Sequence, residues 1–271
     1  MIRDITLGQY YPADSVIHKL DPRVKLFATL IYIIALFSFR GILGFALITA
    51  MLIFMIRTSQ VPFKYIVKGL KAIVILLLIT ASFNLLFTST GTEYWSWGPF
   101  HLTNEGIKNA ILMTVRLIYL IIGTSLMTLT TTPNQLTDGL EKALSPLNRI
   151  HVPVHAVAMM MSIALRFIPI LIEETDKIMK AQMARGADFE HGNLIQKAKG
   201  MVPLLIPLFV SAFRRADDLA MAMEARCYSG GQGRTKMKPL KYGKNDRLAY
   251  LLLLLFLALV IAARILLPFP M

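Results

Sequence analysis

The stretch Leu248-Ala-Tyr-Leu-Leu-Leu-Leu-Leu-Phe-Leu-Ala-Leu-Val-Ile-Ala-Ala-Arg264-Ile-Leu-Leu267 decides the class of fold. As an α-helix its 20 residues reach about 30 Å, the thickness of a bilayer's hydrocarbon core. Upstream lie four further apolar runs, at Leu26–Phe39, Ile42–Ile56, Ala72–Phe87 and Ile107–Thr130. The first is 14 residues, about 21 Å as a helix, so it must recruit its flanks or thin the bilayer. Arg40-Gly41 breaks it from the second, and the two form a tight helical hairpin. The expectation is an all-α, polytopic helical membrane protein with about five transmembrane helices.

Composition agrees. Of 271 residues, 55% are hydrophobic and only 17% charged, against about 25% charged in soluble domains, and mean hydropathy is +0.58. Such a chain is too apolar for disorder, and with Cys227 its single cysteine it is no disulfide scaffold. The net charge of +13 does not point to nucleic acid, because membrane proteins carry excess Lys and Arg for topological reasons. Residues 1–23 hold six charges and no apolar core of a signal sequence, so no cleavable signal peptide is expected.

Loop charge sets the orientation. Residues 57–71 carry Arg57, Lys64, Lys68 and Lys71 and no acid, whereas 88–106 carry Glu93 and Glu105 and no base. The positive-inside rule puts 57–71 in the cytoplasm and 88–106 outside, where Trp95 and Trp97 suit an interfacial belt. The N-terminal segment 1–23 and residues 131–247 are then cytoplasmic, after helices 1–4 within 24–130 and before a last helix within 248–271.

Residues 131–247 differ in kind, with 17 basic and 11 acidic residues. Asp21-Pro22 and Thr132-Pro133-Asn-Gln135 both read as helix starts, the second as a capping box. Leu136, Leu140, Leu144 and Leu147 make one apolar stripe on a polar helix. Two long helices follow, His151–Met183 and Leu194–Arg226, read as partly buried and emerging into the cytoplasm. Because Val152–Ile172 is long enough to span, a transmembrane hairpin is the alternative. Residues 229–247 are a basic linker.

The two long helices end alike. Asp176-Lys-Ile-Met-Lys-Ala181-Gln-Met-Ala184-Arg185-Gly186 matches Asp217-Asp-Leu-Ala-Met-Ala222-Met-Glu-Ala225-Arg226-Cys227 at an offset of 41 in the Asp, both Ala and the Arg. A small residue one turn before a guanidinium lets a helix end enter a groove, where the Arg offers five donors. Ordinary capping is the competing reading, since a cation and a following Gly suit a helix C-terminus. Cys227 gives Arg226 no such glycine, and is expected to be a small packing residue. Eight of the fifteen Met lie between 159 and 223, including Met159-Met160-Met161. Flexible thioethers suit a surface that repacks against different partners, and they equally suit core filling.

Catalytic chemistry is hard to find. Gly230-Gly-Gln-Gly-Arg-Thr235 lacks the Gly-Lys pair and preceding strand of a phosphate loop. His18, His101, His151, His155 and His191 form no HExxH, there is no GxSxG, and no metal site is expected. The apolar runs hold no Asp or Glu, so a secondary carrier, the rival reading, lacks a coupling carboxylate. Arg116 is the only charge well inside a run, expected to snorkel or to face the bundle beside Thr124, Ser125 and Thr128. An intramembrane enzyme would have to use Asp138, His151 and His155.

Tyr10-Tyr-Pro-Ala-Asp-Ser15 with His18-Lys-Leu-Asp-Pro-Arg23, then Ala184-Arg-Gly-Ala-Asp-Phe189, Phe213-Arg-Arg-Ala-Asp217 and Glu224-Ala-Arg-Cys227, resemble the transmembrane T component of energy-coupling factor (ECF) transporters, the EcfT family. The resemblance covers nearly the whole chain, and the paired Ala-Arg motifs are its most specific part. It implies a non-catalytic scaffold and coupling subunit of an ATP-driven importer in the cell membrane of a prokaryote. Its partners would be two ABC-type ATPase subunits, which bind the ATP so that this chain needs no cofactor, and a membrane S component that binds a vitamin or metal ion. Carried over to this sequence, Ala184, Arg185, Gly186 and Ala225, Arg226, Cys227 would dock on the two ATPases, in a coupling-helix region spanning 131–228. The methionine run itself, rather than the resemblance, suggests Met159, Met160 and Met161 as the contact with the S component. The Ala-Arg-Gly-Ala-Asp-Phe form resembles the type shared by several S components.

Overall fold

The computed structural model describes residues 10–38, 42–71, 73–88, 90–97, 100–187, 189, 194–230, 237 and 239–266. In chain order the elements are α1 (Val16–Lys19), α2 (Pro22–Ser38), α3 (Ile42–Ser59), α4 (Phe63–Lys71), α5 (Val74–Phe87), β1 (Glu93–Trp97), β2 (Phe100–Thr103), α6 (Asn104–Thr130), α7 (Pro133–Leu144), a 3-10 turn (Ser145–Ile150), α8 (Val154–Ala184), α9 (Leu194–Ala225) and α10 (Lys244–Leu266). The chain is an all-α polytopic membrane protein. Among the described residues, α6, α8 and Lys244–Ala262 of α10 are long and apolar enough to cross a bilayer, and α4 with α5, bent by 61°, would make a fourth span. Thus α8 itself has the length and hydropathy of a span, the point the sequence left open. The chain divides into two compact units, one built on residues 8–139 with 240–271, the other on 140–239.

The first unit is held by α2, α3, α6 and α10, whose buried faces supply Tyr32, Leu36, Ile48, Leu52, Leu126, Phe256 and Val260. The tightest point is Gly123 on α6. A Cβ there would lie 2.3 Å from Cε1 of Tyr32, so the ring can pack only against a bare backbone. The Tyr32 hydroxyl then donates to the Tyr119 carbonyl at 2.8 Å. Hydroxyls along α6 turn back onto their own helix, as Thr114 does to Ala110, Thr124 to Leu120 and Thr130 to Leu126. Each bond satisfies a polar group that lipid cannot. Arg116 sits 5.7 Å from the ring centres of both Phe37 and Phe45, a cation–π placement.

A polar knot closes the start of α2. Asp21 caps it as Asp21-Pro22 predicts, accepting from the Arg23 amide at 2.9 Å and pairing with the Arg23 guanidinium at 2.8 Å. The Asp21 amide donates to Asp246 of α10, and the Tyr242 ring covers Arg23 at 3.9 Å. Lys25 is buried with its amine on the carbonyls of His18 and Thr130. His18 bridges Ser15 and the Tyr11 carbonyl, and burial lowers its pKa below 6.5. Burial would raise the Asp21 carboxyl, but its bonds from Arg23 outweigh that and hold it below 3.8. The conspicuous opening motif is therefore a structural clasp.

Two segments taken for loops are ordered. Residues 63–71 of the basic connection form the amphipathic α4, with Ile66 buried and its lysines exposed. Within 88–106, β1 and β2 pair antiparallel, Trp95 opposite Leu102 and Trp97 opposite Phe100, and Thr103 caps α6. The side chains of Trp95 and Trp97, and so the belt expected of them, lie outside the described residues. Thr132 and Gln135 exchange the two bonds of a capping box.

Candidate functional site

The second unit carries both Ala-Arg motifs, on α8 and α9. Helix α8 runs 31 residues straight through Pro169, and α9 runs 32 through Pro203 and Pro207. Pro207 has no N–H for the Pro203 carbonyl four residues back. Gln182 of α8 donates its side-chain amide to that carbonyl at 3.4 Å. A second link joins Arg215 of α9 to Glu174 of α8 at 3.1 Å. Going up α8 from 174 to 182 runs down α9 from 215 to 203, so the helices are antiparallel.

The Glu174–Arg215 pair spans 41 residues, the same offset that aligns the two Ala-Arg motifs. Residues equivalent in the near-repeat therefore touch each other, which places a local pseudo-two-fold axis at this ion pair. Each motif Arg lies 11 residues beyond the pair on its own helix. At 1.5 Å per residue that is about 16 Å in opposite directions, so the two guanidinium-bearing ends are up to roughly 30 Å apart.

The two ends have the same backbone. At the first, the Ala187 amide bonds the Gln182 carbonyl and the Gly186 amide that of Met183, both at 3.0 Å. At the second, Tyr228 bonds Met223 at 3.0 Å and Cys227 bonds Glu224 at 2.8 Å. Both are Schellman turns, with the residue after the Arg left-handed: Gly186 at φ 88° and Cys227 at φ 55°. The capping reading thus accounts for the shape of both turns, Cys227 included. It leaves the guanidiniums unused, because backbone amides already satisfy these carbonyls.

Ala184, Arg185, Gly186, Ala225, Arg226 and Cys227 are all exposed. Among the described residues neither guanidinium has a hydrogen-bond or ion-pair partner. A Cβ on Gly186 would meet nothing within 4 Å, so only its conformation calls for glycine. Cys227, expected to pack, is instead a free, exposed thiol in a conformation that costs a side-chain-bearing residue about 1–2 kcal/mol.

Met159 is half-buried, while Met160 and Met161 are exposed near the start of α8. Helix α9 adds an exposed apolar stripe, Met201, Leu205, Phe209 and Phe213, at four-residue spacing. Of the residues weighed for catalysis, His155 lies 2.9 Å from Glu141, His151 occupies a left-handed turn and Asp138 is half-buried. Among the described residues no cluster of His, Cys, Asp or Glu could hold a metal ion. His191 and most of the glycine-rich stretch at 230–235 lie outside them. Sequence reasoning missed Glu174, Arg215 and Gln182. The 41-residue offset was the signal that could have found the first two.

The family described as CbiQ, cobalt transport protein, matches residues 13–237. The chain is 57% identical over 266 residues to the energy-coupling factor transporter transmembrane protein EcfT of Clostridium kluyveri, covering 98% of each chain. It is 52% identical to the EcfT of Ruminiclostridium cellulolyticum, over 96% of this chain and 97% of that one. Against the EcfT of Bacillus subtilis the identity is 44%, over 97% and 100%.

Proposed function

The chain belongs to the EcfT family of energy-coupling factor transporter transmembrane proteins, and on that premise we propose that it is the scaffold through which two ABC-type ATPases drive a substrate-binding S component. The observation that carries the reading is the matched pair of helix ends. Arg185 and Arg226 stand on Schellman turns of the same bond pattern, exposed, unpartnered among the described residues, and related by a local pseudo-two-fold. Two equivalent ends call for two similar grooves, which a pair of homologous ATPases would offer. ATP is bound and hydrolysed by those partners, and this subunit is non-catalytic. The Ala184-Arg-Gly-Ala-Asp-Phe189 version of the first motif favours a scaffold shared by several S components over one dedicated to cobalt. Met160, Met161 and the α9 stripe offer that partner an adaptable apolar surface. The motifs would face the cytoplasm of a prokaryotic cell.

The test is co-purification of the ATPases with wild type, Arg185→Ala, Arg226→Ala and the double variant. A docked guanidinium makes charge-assisted bonds of about 1.5–3 kcal/mol each, and truncation leaves acceptors unpaired. Each single change should then cost about 2–4 kcal/mol, a 30- to 1000-fold loss of affinity, softened while the other end still holds its ATPase. The double variant should insert in the membrane yet lose both ATPases and uptake. Full ATPase binding by the double variant overturns the proposal.

A further inference from the structure

The first unit contains a crevice of about 360 Å³ between α2, α3, α6 and α10 that the coupling role does not use. Its ends differ in chemistry. Thr58, Thr130, Asn245 and Lys25 line one end together with Val16, Ile17 and Leu20 at α1, and Met51, Gly123 and Phe256 line the other. On α3 and α6 these ends are seven residues apart and on α10 eleven, so the crevice is about 10–16 Å deep along the helix axes. On all three helices the polar end is the one that loop charge places at the cytoplasmic interface. The crevice therefore lies in the inner-leaflet half, with its few polar groups gathered at the cytoplasmic end and only apolar side chains toward the midplane. Phe54 and Leu252, on its walls, are exposed, so it is open along one side.

Charge at the cytoplasmic end is positive. Within the clasp, Asp21 and Asp246 balance Arg23 and Lys25, and Asp246 is taken up by the amides of Asp21 and Gly243. Beyond that neutral set, Arg57 and Lys244 are exposed and immediately precede the rim residues Thr58 and Asn245 in sequence, at the same helix ends, and Arg247 is exposed two residues past Asn245. No exposed acid adjoins either rim residue in sequence. A narrow apolar slot does not hold water, and a bilayer offers acyl chains to fill it. Apolar depth beneath a cationic rim matches one lipid chemistry.

We propose that this crevice binds one acyl chain of an inner-leaflet anionic phospholipid, with the headgroup at Thr58 and Asn245 between Arg57 and Lys244. The test uses the intact transporter complex, with Trp95 and Trp97 changed to Phe and Phe54→Trp as reporter, in phosphatidylcholine vesicles containing phosphatidylglycerol with brominated chains. Half-quenching should need a several-fold lower fraction of brominated phosphatidylglycerol than of brominated phosphatidylcholine, and Arg57→Gln with Lys244→Gln should erase the difference. Ala249→Phe and Ala28→Leu each narrow the slot, and either one that still assembles should lose the phospholipid that wild type retains, about one per chain, after exhaustive detergent exchange. Quenching that follows the bulk brominated fraction equally for both headgroups overturns the proposal. So does equal phospholipid retention by wild type and a narrowed variant.

Discussion

Reversing one charge at the crossing of α8 and α9 is the sharpest probe of the paired-end geometry. Glu174→Arg sets a second guanidinium where Arg215 now meets a carboxylate at 3.1 Å. Two like charges near 4 Å repel by about 4 kcal/mol at an effective dielectric of 20. The Arg215 and Glu174 side chains are 35% and 27% exposed, which screens much of that. With the lost attraction of about 0.5–1 kcal/mol, the net cost should be about 1–2 kcal/mol, too little to unfold the chain. It falls at the ion pair that, with the Gln182–Pro203 bond, sets the register of α8 on α9 and so the spacing of Arg185 and Arg226. Each end should still dock alone, while simultaneous docking loses the advantage of being intramolecular, worth as much as 10²–10⁴ in avidity. The assay is ATPase stoichiometry and uptake for Glu174→Arg, Arg215→Glu and the double reversal, with thermal melting alongside. Both singles should favour complexes holding one ATPase, and the double reversal should restore two. If the double reversal stays as impaired as the singles, the ion pair does not set the spacing and the reasoning fails.

Three further outcomes are expected. Gly123→Ala drives a methyl into the Tyr32 ring and should cost about 1–3 kcal/mol, read as a lower melting temperature that Tyr32→Leu in the same chain partly restores. At the Schellman turns, Cys227→Gly should stabilise by about 0.5–1 kcal/mol and Gly186→Ala destabilise by a similar amount; equal and opposite shifts in chemical denaturation would agree, and two shifts of one sign would not. His18 is held below its usual 6.5, so the unfolded chain binds the extra proton. Stability is fully present above 6.5 and falls as pH drops through the lower folded value, Asp21 adding its loss only below 3.8. His18→Gln should flatten the melting temperature just below pH 6.5, and an unchanged slope would place the titration elsewhere.

What the sequence made legible were features that depend on neighbours along the chain. The cap at Asp21-Pro22, the capping box at Thr132 and Gln135, and the apolar runs all follow from spacing, and the structure contains them. The near-repeat was equally plain, because it is a pattern of identities. That its equivalent residues Glu174 and Arg215 touch was not, since an offset says nothing about how two helices fold back on each other. The β-hairpin at 93–103 was read as a loop because it pairs too few residues for a pattern of alternation. Cys227 was misread for a subtler reason: a Schellman turn normally announces itself by glycine, and here the backbone adopts it without one.

The clasp at the start of α2 has a consequence in time. The Asp21 amide finds its acceptor on Asp246, 225 residues later. At synthesis rates near 20 residues per second, or as slow as about 5, the ribosome needs roughly 11–45 s to make that distance. Throughout that interval α2 is already made while the amide at its entry lacks this acceptor. A chain released early, or one whose last helix inserts the wrong way round, leaves this turn open permanently. The N-terminal clasp is thus finished only by the far end of the chain, through Asp246 and the Tyr242 ring over Arg23.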